Sequence, residues 1–242
     1  MKLILLGSAR EASLLFIFKE WCCELGGAAN EGAGMRALKR QETRFETDRL
    51  KGFYKGKRVL VTGAAGGVGS ALCLQLAELG CARLAMLDHL DHGLLEILEH
   101  VNRINPRLDA VDALCDIRDR DRLQSWMNRL EPDVVIHAAA LKHVHLGERH
   151  PVECVLTNLV GARNTLAAAA AAGASDFMLV SSDKAASPVC VMGATKRLAE
   201  MHLIGFQMET RAPIRLRSVR FGNVMGSQGS VAPRFTAQIA AG

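Results

Sequence analysis

Short apolar segments alternate with helical segments along most of this chain, and this alternation is the feature that most limits its possible folds. Each apolar segment has the length of a buried strand, and each except the last is followed by a stretch with helical periodicity. Strands joined in this way by helical crossovers form a doubly wound parallel sheet of the α/β class. We predict strands at residues 58–62, 83–87, 110–114, 133–137, 177–180 and 214–221, and helices at residues 70–79, 94–104, 120–130, 152–172 and 192–206.

Residues 1–52 do not follow this alternation, and we treat them as an N-terminal extension of unknown role. A short strand is predicted at residues 3–6 and a helix at residues 11–25. The apolar stretch around them is interrupted by Arg10 and Glu11 and is too short to cross a bilayer, and it lacks a signal-peptide cleavage site. We therefore expect no membrane span, and we assign the predicted α/β domain to residues 53–242.

Charge and cysteine content narrow the class of protein further. The formal charge of +5 comes from basic residues that are scattered along the chain, so nucleic acid is not an expected partner. Seven cysteines, an odd number, show no disulfide-framework spacing. Reduced thiols and a cytoplasmic location are the expectation.

A glycine-rich turn follows the first predicted strand and precedes the first predicted helix. In such a turn the first glycine permits a tight bend, the second allows the backbone to approach a pyrophosphate, and the third allows helix and strand to pack closely. The N-terminus of the helix then offers free N–H groups to phosphate oxygens. The alternative is a glycine-rich turn in some other α/β protein. The candidate cofactor residues here are Thr62, Gly63, Gly66, Gly67, Val68 and Gly69.

Asp88 at the end of the second strand favours NAD as the cofactor. A carboxylate at this spacing binds the ribose hydroxyls and repels a 2′-phosphate, so NADP is the less favoured alternative. Asp116 and Ile117, after the third strand, are placed to border the adenine. Small residues after the fourth strand, where the backbone passes close to a cofactor, are Ala138, Ala139 and Ala140.

The segment around residues 182–196 carries the candidate chemistry. Lys196 follows Met192 at the Tyr-x-x-x-Lys spacing, but the thioether of Met192 cannot transfer a proton as a tyrosine does. Asp183 and Lys184 directly follow a buried strand and supply an acid and a base. The alternative interpretation of this pair is a solvated turn.

From about residue 56 onward the chain resembles a known family, the polysaccharide-biosynthesis (CapD-like) UDP-N-acetylglucosamine 4,6-dehydratases. These are extended short-chain dehydrogenase/reductases, and a recognised group among them has Met at the tyrosine position. The stretches that carry the resemblance are residues 137–144, 157–158, 182–185, 191–197, 220–224 and 226–231.

The resemblance implies an NAD-dependent dehydration of a UDP-sugar. A 4-ketone forms by hydride transfer, water is lost across C5 and C6, and hydride returns to C6. By matching position, Lys184 is the C5 base and Asp183 the acid that assists departure of the C6 hydroxyl. Ser182 hydrogen-bonds O4, and Lys196 holds the nicotinamide ribose. The group that deprotonates the C4 hydroxyl stays open.

The resemblance also implies contacts with the UDP-sugar by Asn223, Ser230 and Val231, while Lys142 and His143 lie on the cleft side of a strand end. The His and Cys residues between positions 143 and 154 fit no common zinc spacing, so no metal is expected. Ser187, Val189, Cys190 and His145 depart from the family pattern close to the substrate, where such changes alter sugar preference or weaken activity.

We therefore expect a nucleotide-sugar 4,6-dehydratase of polysaccharide or glycan biosynthesis that forms a homo-oligomer. Family members carry a further C-terminal subdomain, and we expect most of it to be missing here. Two alternatives stay open. One is a catalytically silent nucleotide-binding module that assembles with full-length partners, and the other is a nucleotide-sugar epimerase, which normally relies on the tyrosine that is absent here.

Overall fold

A computed structural model describes residues 47–210, 212–222 and Gln238, and these residues form an α/β fold around one parallel sheet. The sheet has six strands in the order β3-β2-β1-β4-β5-β6, with every pair parallel. This order confirms the predicted doubly wound fold. The strands are β1 Arg58–Thr62, β2 Arg83–Asp88, β3 Asp109–Leu114, β4 Val134–His137, β5 Asp176–Ser182 and β6 Arg215–Phe221.

Helices cover both faces of the sheet and bury one apolar core on each face. Alternation along a strand sends neighbouring side chains to opposite faces, so Val59 and Val61 join one core and Leu60 joins the other. The first core is completed by α1 Thr47–Tyr54, α2 Gly67–Glu78 and α3 Asp91–Ile104. The second is completed by α4 Arg120–Leu130, α7 Gly161–Ala171 and α8 Val191–Glu209.

The single helix predicted at residues 152–172 is wrong, because the structure divides this region into several pieces. α5 Val144–Arg149 comes first, a turn that sequence analysis did not predict, and α6 Pro151–Val155 starts anew where Pro151 cannot continue the preceding helix. A π-helical segment, Leu156–Val160, separates α6 from α7. π-Segments widen a helix locally and are frequent at functional sites.

Helix α1 packs on the sheet rather than lying apart from it. Leu50 and Tyr54 on this helix are buried in the first core, so α1 crosses the domain boundary predicted at residue 52. The strand and helix predicted at residues 3–6 and 11–25 lie outside the described residues. Within residues 47–210 and 212–222, no helix combines the length and apolar character needed to cross a bilayer.

The strand order reverses at β1, which has β2 on one side and β4 on the other. In open parallel sheets, ligands bind in the crevice at this reversal, outside the carboxyl ends of the strands. The turn after β1, the segment after β4 and the segment after β5 all emerge at this edge.

Candidate functional site

The turn after β1 is packed so tightly that it requires glycine at two positions. Gly63 has a positive φ of 71°, and a Cβ there would lie 2.5 Å from the backbone nitrogen of Ala139. A Cβ on Gly69 would collide with the carbonyl oxygen of Gly63. The predicted glycine turn and the small residues after β4 are therefore in direct contact, and they form one narrow cradle.

This cradle leads to an open helix end. Gly66 is the N-cap of α2, and no side chain among the described residues caps it. The first N–H groups of a helix without a cap face outward and carry the positive end of the helix dipole. Together with the close approach at Gly63 and Gly69, this arrangement fits the pyrophosphate of a dinucleotide.

Asp88 closes the cradle from the neighbouring strand. Its carboxylate is almost fully buried and accepts hydrogen bonds from the backbone N–H groups of Ala65 (3.0 Å), His89 (2.8 Å) and Leu90 (3.1 Å). These bonds fix the carboxylate at the end of β2, beside the glycine turn. The structure thus places a negative charge where the sequence predicted a ribose contact.

Asp116 and Ile117 occupy the next position along the sheet edge. The Asp116 carboxylate accepts several hydrogen bonds from Arg118, which also pairs with Glu153 at 2.7 Å. The hydrogen bonds and charge of Arg118 hold the pKa of Asp116 below its usual value, against the effect of partial burial. Ile117 is buried against Gly161 of α7.

Thr62 has a partner that sequence analysis did not identify. Its hydroxyl lies 2.8 Å from Nδ1 of His137, and both side chains are fully buried. Burial, with the nearby charge of Lys196, lowers the pKa of His137 to about 3. His137 therefore stays neutral, and its Nε2 has no hydrogen-bond partner within the described part of the chain.

The candidate acid and base lie on a short 3-10 turn, Asp183–Ala185, directly after β5. Nζ of Lys184 donates to Oδ1 of Asp183 at 3.1 Å, and the Ser182 hydroxyl donates to the same oxygen at 3.1 Å. Partial burial raises the pKa of Asp183, but the hydrogen bond and charge of Lys184 outweigh it and lower the pKa. The three residues form one connected group that is open to solvent on one side.

Lys196 lies beneath this turn on α8. Its side chain is 5% exposed, and Nζ donates a 2.8 Å hydrogen bond to the carbonyl of Val180 on β5. Burial lowers the pKa of Lys196 to about 8, although the neighbouring Cys154 side chain and the Glu200 carboxylate act in the opposite direction. The structure thus brings Lys196 to the strand that carries Ser182.

Backbone contacts hold the turn against its neighbours. A Cβ on Gly193 of α8 would lie 2.5 Å from the carbonyl oxygen of Lys184, and a Cβ on Gly222 would lie 3.3 Å from Oδ2 of Asp183. The helix that carries Lys196 and the end of β6 therefore both abut the turn. Little space is left for this segment to shift.

Met192 is buried rather than presented to the crevice. It is 4% exposed and packs beside Gly147 of α5, where an added Cβ would lie 3.5 Å from the Cβ and backbone nitrogen of Met192. Glu148, next to Gly147, accepts a 2.8 Å hydrogen bond from the N–H of Val191. The position of the expected tyrosine is thus an apolar contact between α5 and α8.

Asn158 in the π-segment is a further residue that sequence analysis did not place in the site. Its side-chain oxygen accepts a 2.8 Å hydrogen bond from the N–H of Leu141. Its side-chain nitrogen donates 3.0 Å hydrogen bonds to the carbonyl oxygen of Leu141 and to the hydroxyl of Thr195. One buried side chain therefore fixes the segment after β4 to α8. Asn158 lies in the Thr157–Asn158 stretch that carries the family resemblance, and this was the sequence feature that could have assigned it to the site.

The predicted substrate residues are only partly described. Lys142 and His143 are exposed after β4, with His143 preceding α5. Partial burial and the charge of Lys142 lower the pKa of His143. Asn223, Ser230 and Val231 lie outside the described residues. Residues 47–210 and 212–222 contain no group of three or more His, Cys, Asp or Glu side chains arranged to hold a metal ion.

Comparison with known proteins identifies the family. The family model described as polysaccharide biosynthesis protein matches residues 59–242, which include every strand residue except Arg58 at the start of β1. The chain belongs to this family. The glycine cradle and the Asp183–Lys196 segment both lie inside the matched range.

Two similar proteins come from bacteria and are longer than this chain. The probable polysaccharide biosynthesis protein EpsC of Bacillus subtilis is 41% identical over 85% of this chain and 34% of its own length. A UDP-N-acetylglucosamine 4,6-dehydratase (inverting) of Campylobacter jejuni is 34% identical over 78% of this chain and 55% of its own length. The chain thus spans between about a third and about half of the curated relatives it matches.

Solved structures share the fold. Pen from Bacillus thuringiensis superposes with a TM-score of 0.72 and 34% identity, over 78% of this chain and 56% of that protein. A UDP-glucose 4-epimerase from Stenotrophomonas maltophila, solved with bound NAD and a UDP-sugar, superposes with a TM-score of 0.59 and 28% identity, over 66% and 51% of the two chains. The fold is therefore that of NAD-binding enzymes that modify nucleotide sugars.

Proposed function

We propose that this chain carries the catalytic centre of an NAD-dependent UDP-sugar 4,6-dehydratase. The proposal rests on the Asp183–Lys184 pair, with 3.1 Å between Nζ and Oδ1, on the turn that directly follows the strand to which buried Lys196 is hydrogen-bonded. Met192, and not a tyrosine, stands four residues before Lys196. An acid and a base side by side suit the elimination of water. The relationship to a 4,6-dehydratase of 34% identity supports the same reaction.

The residues of the cradle suit NAD. Gly63, Gly69 and the uncapped start of α2 would hold the pyrophosphate, and Asp88 would bind the ribose and disfavour NADP. When bound, NAD supplies a hydride acceptor for C4 of the sugar and a hydride donor for C6. The remaining steps are proton transfers, and these belong to side chains of this chain.

The acid–base pair needs only one internal proton transfer to become active. At rest Lys184 and Asp183 form an ion pair, because the neighbouring cation lowers the pKa of Asp183. Passing the proton along their hydrogen bond gives a neutral amine and a neutral carboxyl group, a state that loss of water on substrate binding favours. Lys184 then takes the C5 proton, and Asp183 protonates the departing C6 hydroxyl. Once hydride has returned to C6, the Lys184 ammonium group supplies the proton that completes C5.

Ser182 and Lys196 serve the first half of the reaction. The Ser182 hydroxyl, which donates to Asp183, would bind O4 of the sugar. Lys196, held by the carbonyl of Val180, would bind the nicotinamide ribose and provide positive potential beneath the ring. Lys142, His143, Asn223, Ser230 and Val231 are the proposed contacts of the UDP-sugar.

A nucleotide-sugar epimerase is the second candidate, and one specific observation favours it. The epimerase structure with 28% identity and bound NAD shows that this architecture also supports epimerisation. Buried Met192 argues against it, because the thioether cannot shuttle the C4 proton. The homo-oligomer and the cytoplasmic location expected from the sequence stay predictions.

One experiment separates the candidates. The chain is incubated with UDP-N-acetylglucosamine and NAD, and the nucleotide sugar is analysed by mass spectrometry. A dehydratase releases a product lighter by one water with no net accumulation of NADH. An epimerase leaves the mass unchanged but alters the sugar on chromatography. An unchanged sugar with intact NAD binding by calorimetry would overturn the proposal in favour of a silent binding module.

A further inference from the structure

A buried carboxylate lies one helical turn beyond Lys196. Glu200 is fully buried and accepts hydrogen bonds from the Ser181 hydroxyl at 2.6 Å and from both Nε and Nη2 of Arg220. Arg197 adds a longer contact of 3.4 Å. Burial raises the pKa of Glu200, but the hydrogen bonds of Arg220 and Ser181 lower it below its usual value. Glu200 is therefore ionised inside the protein.

The partners of Glu200 belong to the two strands that lead into the proposed site. Ser181 and Arg220 face each other across the β5–β6 pair, and the next pair in register is Ser182 and Phe221. Both side chains therefore point toward α8 from the strand ends that continue to Asp183 and Gly222. Glu200 joins three elements at one point: α8, β5 and β6.

Lys196 shares this joint. Residues four apart on a helix lie on the same face, so Lys196 and Glu200 both face the sheet. Lys196 bonds to the carbonyl of Val180, and Glu200 bonds to the hydroxyl of the next residue, Ser181. Helix α8 is thus attached to β5 at two successive residues directly before Ser182.

We infer that Glu200 is a positioning residue of the proposed active site, whose carboxylate locks the α8 turn that carries Lys196 to the strand ends that carry Ser182 and Asp183. Its role in turnover rests on the proposed function. Its effect on the environment of Lys196 does not depend on the proposed function. One experiment therefore tests the effect on Lys196, and a second tests the role in turnover.

The same strand provides a matched control at its other end. Asp176 at the start of β5 is also fully buried, and it accepts hydrogen bonds from Arg215, Arg217 and Ser175. Both clusters combine one buried carboxylate, one serine and two arginines, but the Asp176 cluster lies at the edge of the sheet opposite the site. If the Glu200 cluster had only a structural role, Glu200→Gln and Asp176→Asn would have the same effect on the Lys196 titration and on kcat.

The first measurement does not need turnover. Lysine is labelled with 13C at Cε, the Lys196 signal is assigned from its loss in Lys196→Arg, and its titration is followed by NMR. The charged and titratable groups that face Lys196 in the described structure are His137 from β4, Cys154 from α6 and Glu200 from α8 itself. Glu200→Gln removes the negative charge and leaves Arg220 unpaired nearby.

We expect Glu200→Gln to shift the midpoint of the Lys196 titration to lower pH, because protonation of Lys196 loses a stabilising charge. Asp176→Asn should leave the midpoint unchanged. Equal midpoints in wild type and Glu200→Gln, or equal shifts in the two variants, would overturn the inference. If Glu200→Gln does not fold, Ser181→Ala and its control Ser175→Ala are compared in the turnover measurement below, where loss of the Ser181–Glu200 hydrogen bond should lower kcat and Ser175→Ala should not. Equal kcat in these two variants would overturn the inference.

The second measurement uses turnover of UDP-N-acetylglucosamine. We expect Glu200→Gln to lower kcat by about 10- to 100-fold, as small misplacements of catalytic groups do, with NAD affinity close to that of wild type. Asp176→Asn should keep the kcat of the wild type. Equal kcat in the two variants would overturn the positioning role. An inactive wild type would contradict the proposed function, while the NMR titration would still test the link between Glu200 and Lys196.

Discussion

Nζ of Lys196 donates a 2.8 Å hydrogen bond to the carbonyl oxygen of Val180, two residues before Ser182 on the same strand. The bond ties a buried cation to the strand end where the candidate acid and base begin. Burial lowers the pKa of Lys196 from 10.5 to about 8, so its charge changes within an accessible pH range. The proposed site should therefore respond to mildly alkaline pH.

We predict that turnover falls as the pH rises through about 8, because Lys196 then loses the proton that makes it a cation. The pH profile of kcat/KM tests this directly. Lys196→Arg, whose guanidinium stays charged, should remove this alkaline limb even if its overall activity is lower. An identical alkaline limb in this variant would assign the titration to another group.

The same pKa predicts a change in stability of opposite sign. Between pH 8 and 10.5 the unfolded chain keeps the proton of Lys196 while the folded protein releases it, so the unfolded state binds more protons and stability rises with pH. Below pH 8 the folded protein carries the full destabilising effect of burying a protonated Lys196. We expect the unfolding free energy of the wild type relative to Lys196→Met to increase across this window in denaturant titrations.

The glycine cradle gives a prediction about a single methyl group. Gly69→Ala would place a Cβ against the carbonyl oxygen of Gly63. Overpacking of this kind costs about 1–3 kcal/mol and would open the turn that is proposed to hold NAD. We expect a lower Tm and weak NAD binding by calorimetry.

Gly205→Ala is the control for this change, because among the described residues no atom outside the helix's own backbone lies within 4 Å of an added Cβ at that position. Alanine should stabilise α8 there by up to about 1 kcal/mol, with NAD binding unaltered. Wild-type NAD affinity in Gly69→Ala would show that the turn does not hold the cofactor.

Asp88 should decide between the two nicotinamide cofactors. Asp88→Asn keeps the shape of the side chain but removes the charge that disfavours a 2′-phosphate. We expect the ratio of NAD to NADP affinity to fall about tenfold, equivalent to ~1.4 kcal/mol. Asp91→Asn, a nearby exposed change, should leave the ratio as it is. An unchanged ratio in Asp88→Asn would remove Asp88 from the ribose site.

Met192 should behave as a packing residue. Because it is buried against Gly147, Met192→Leu should cost less than about 1.5 kcal/mol and keep most of the turnover, whereas Met192→Tyr should be overpacked by about 1–3 kcal/mol. Thermal unfolding and product formation measure the two effects. A loss of turnover in Met192→Leu as complete as that in a Lys184 variant would show that the thioether takes part in the chemistry.

The sequence predicted the sheet well because buried parallel strands form continuous apolar runs, and β1 and α4 have the predicted bounds. The prediction of helices failed between residues 144 and 160. There the side chain of Asn158 bonds to Leu141 and to Thr195, 17 and 37 residues away along the chain. Contacts of this kind overrule local helix preference, and helical periodicity does not reveal them.

The candidate site was likewise predictable only where its residues lie close together in the sequence. Residues on one strand end and its following turn, Ser182 to Lys184, could be placed from the sequence. The buried groups around them could not, because His137 is paired with Thr62 across 75 residues, and Glu200 with Arg220 across 20. The polarity of such residues within a core becomes meaningful only when their partners are known.

The most direct test of the proposed chemistry is to follow the C5 proton. The chain is incubated with UDP-N-acetylglucosamine and NAD in deuterium oxide, and the product is analysed by mass spectrometry and NMR. The proposal predicts a product that has lost one water and carries deuterium at C5. This product should be lost in Lys184→Met and retained in Lys55→Met, which removes an exposed lysine far from the turn. A product without deuterium at C5, or wild-type water loss in Lys184→Met, would contradict it.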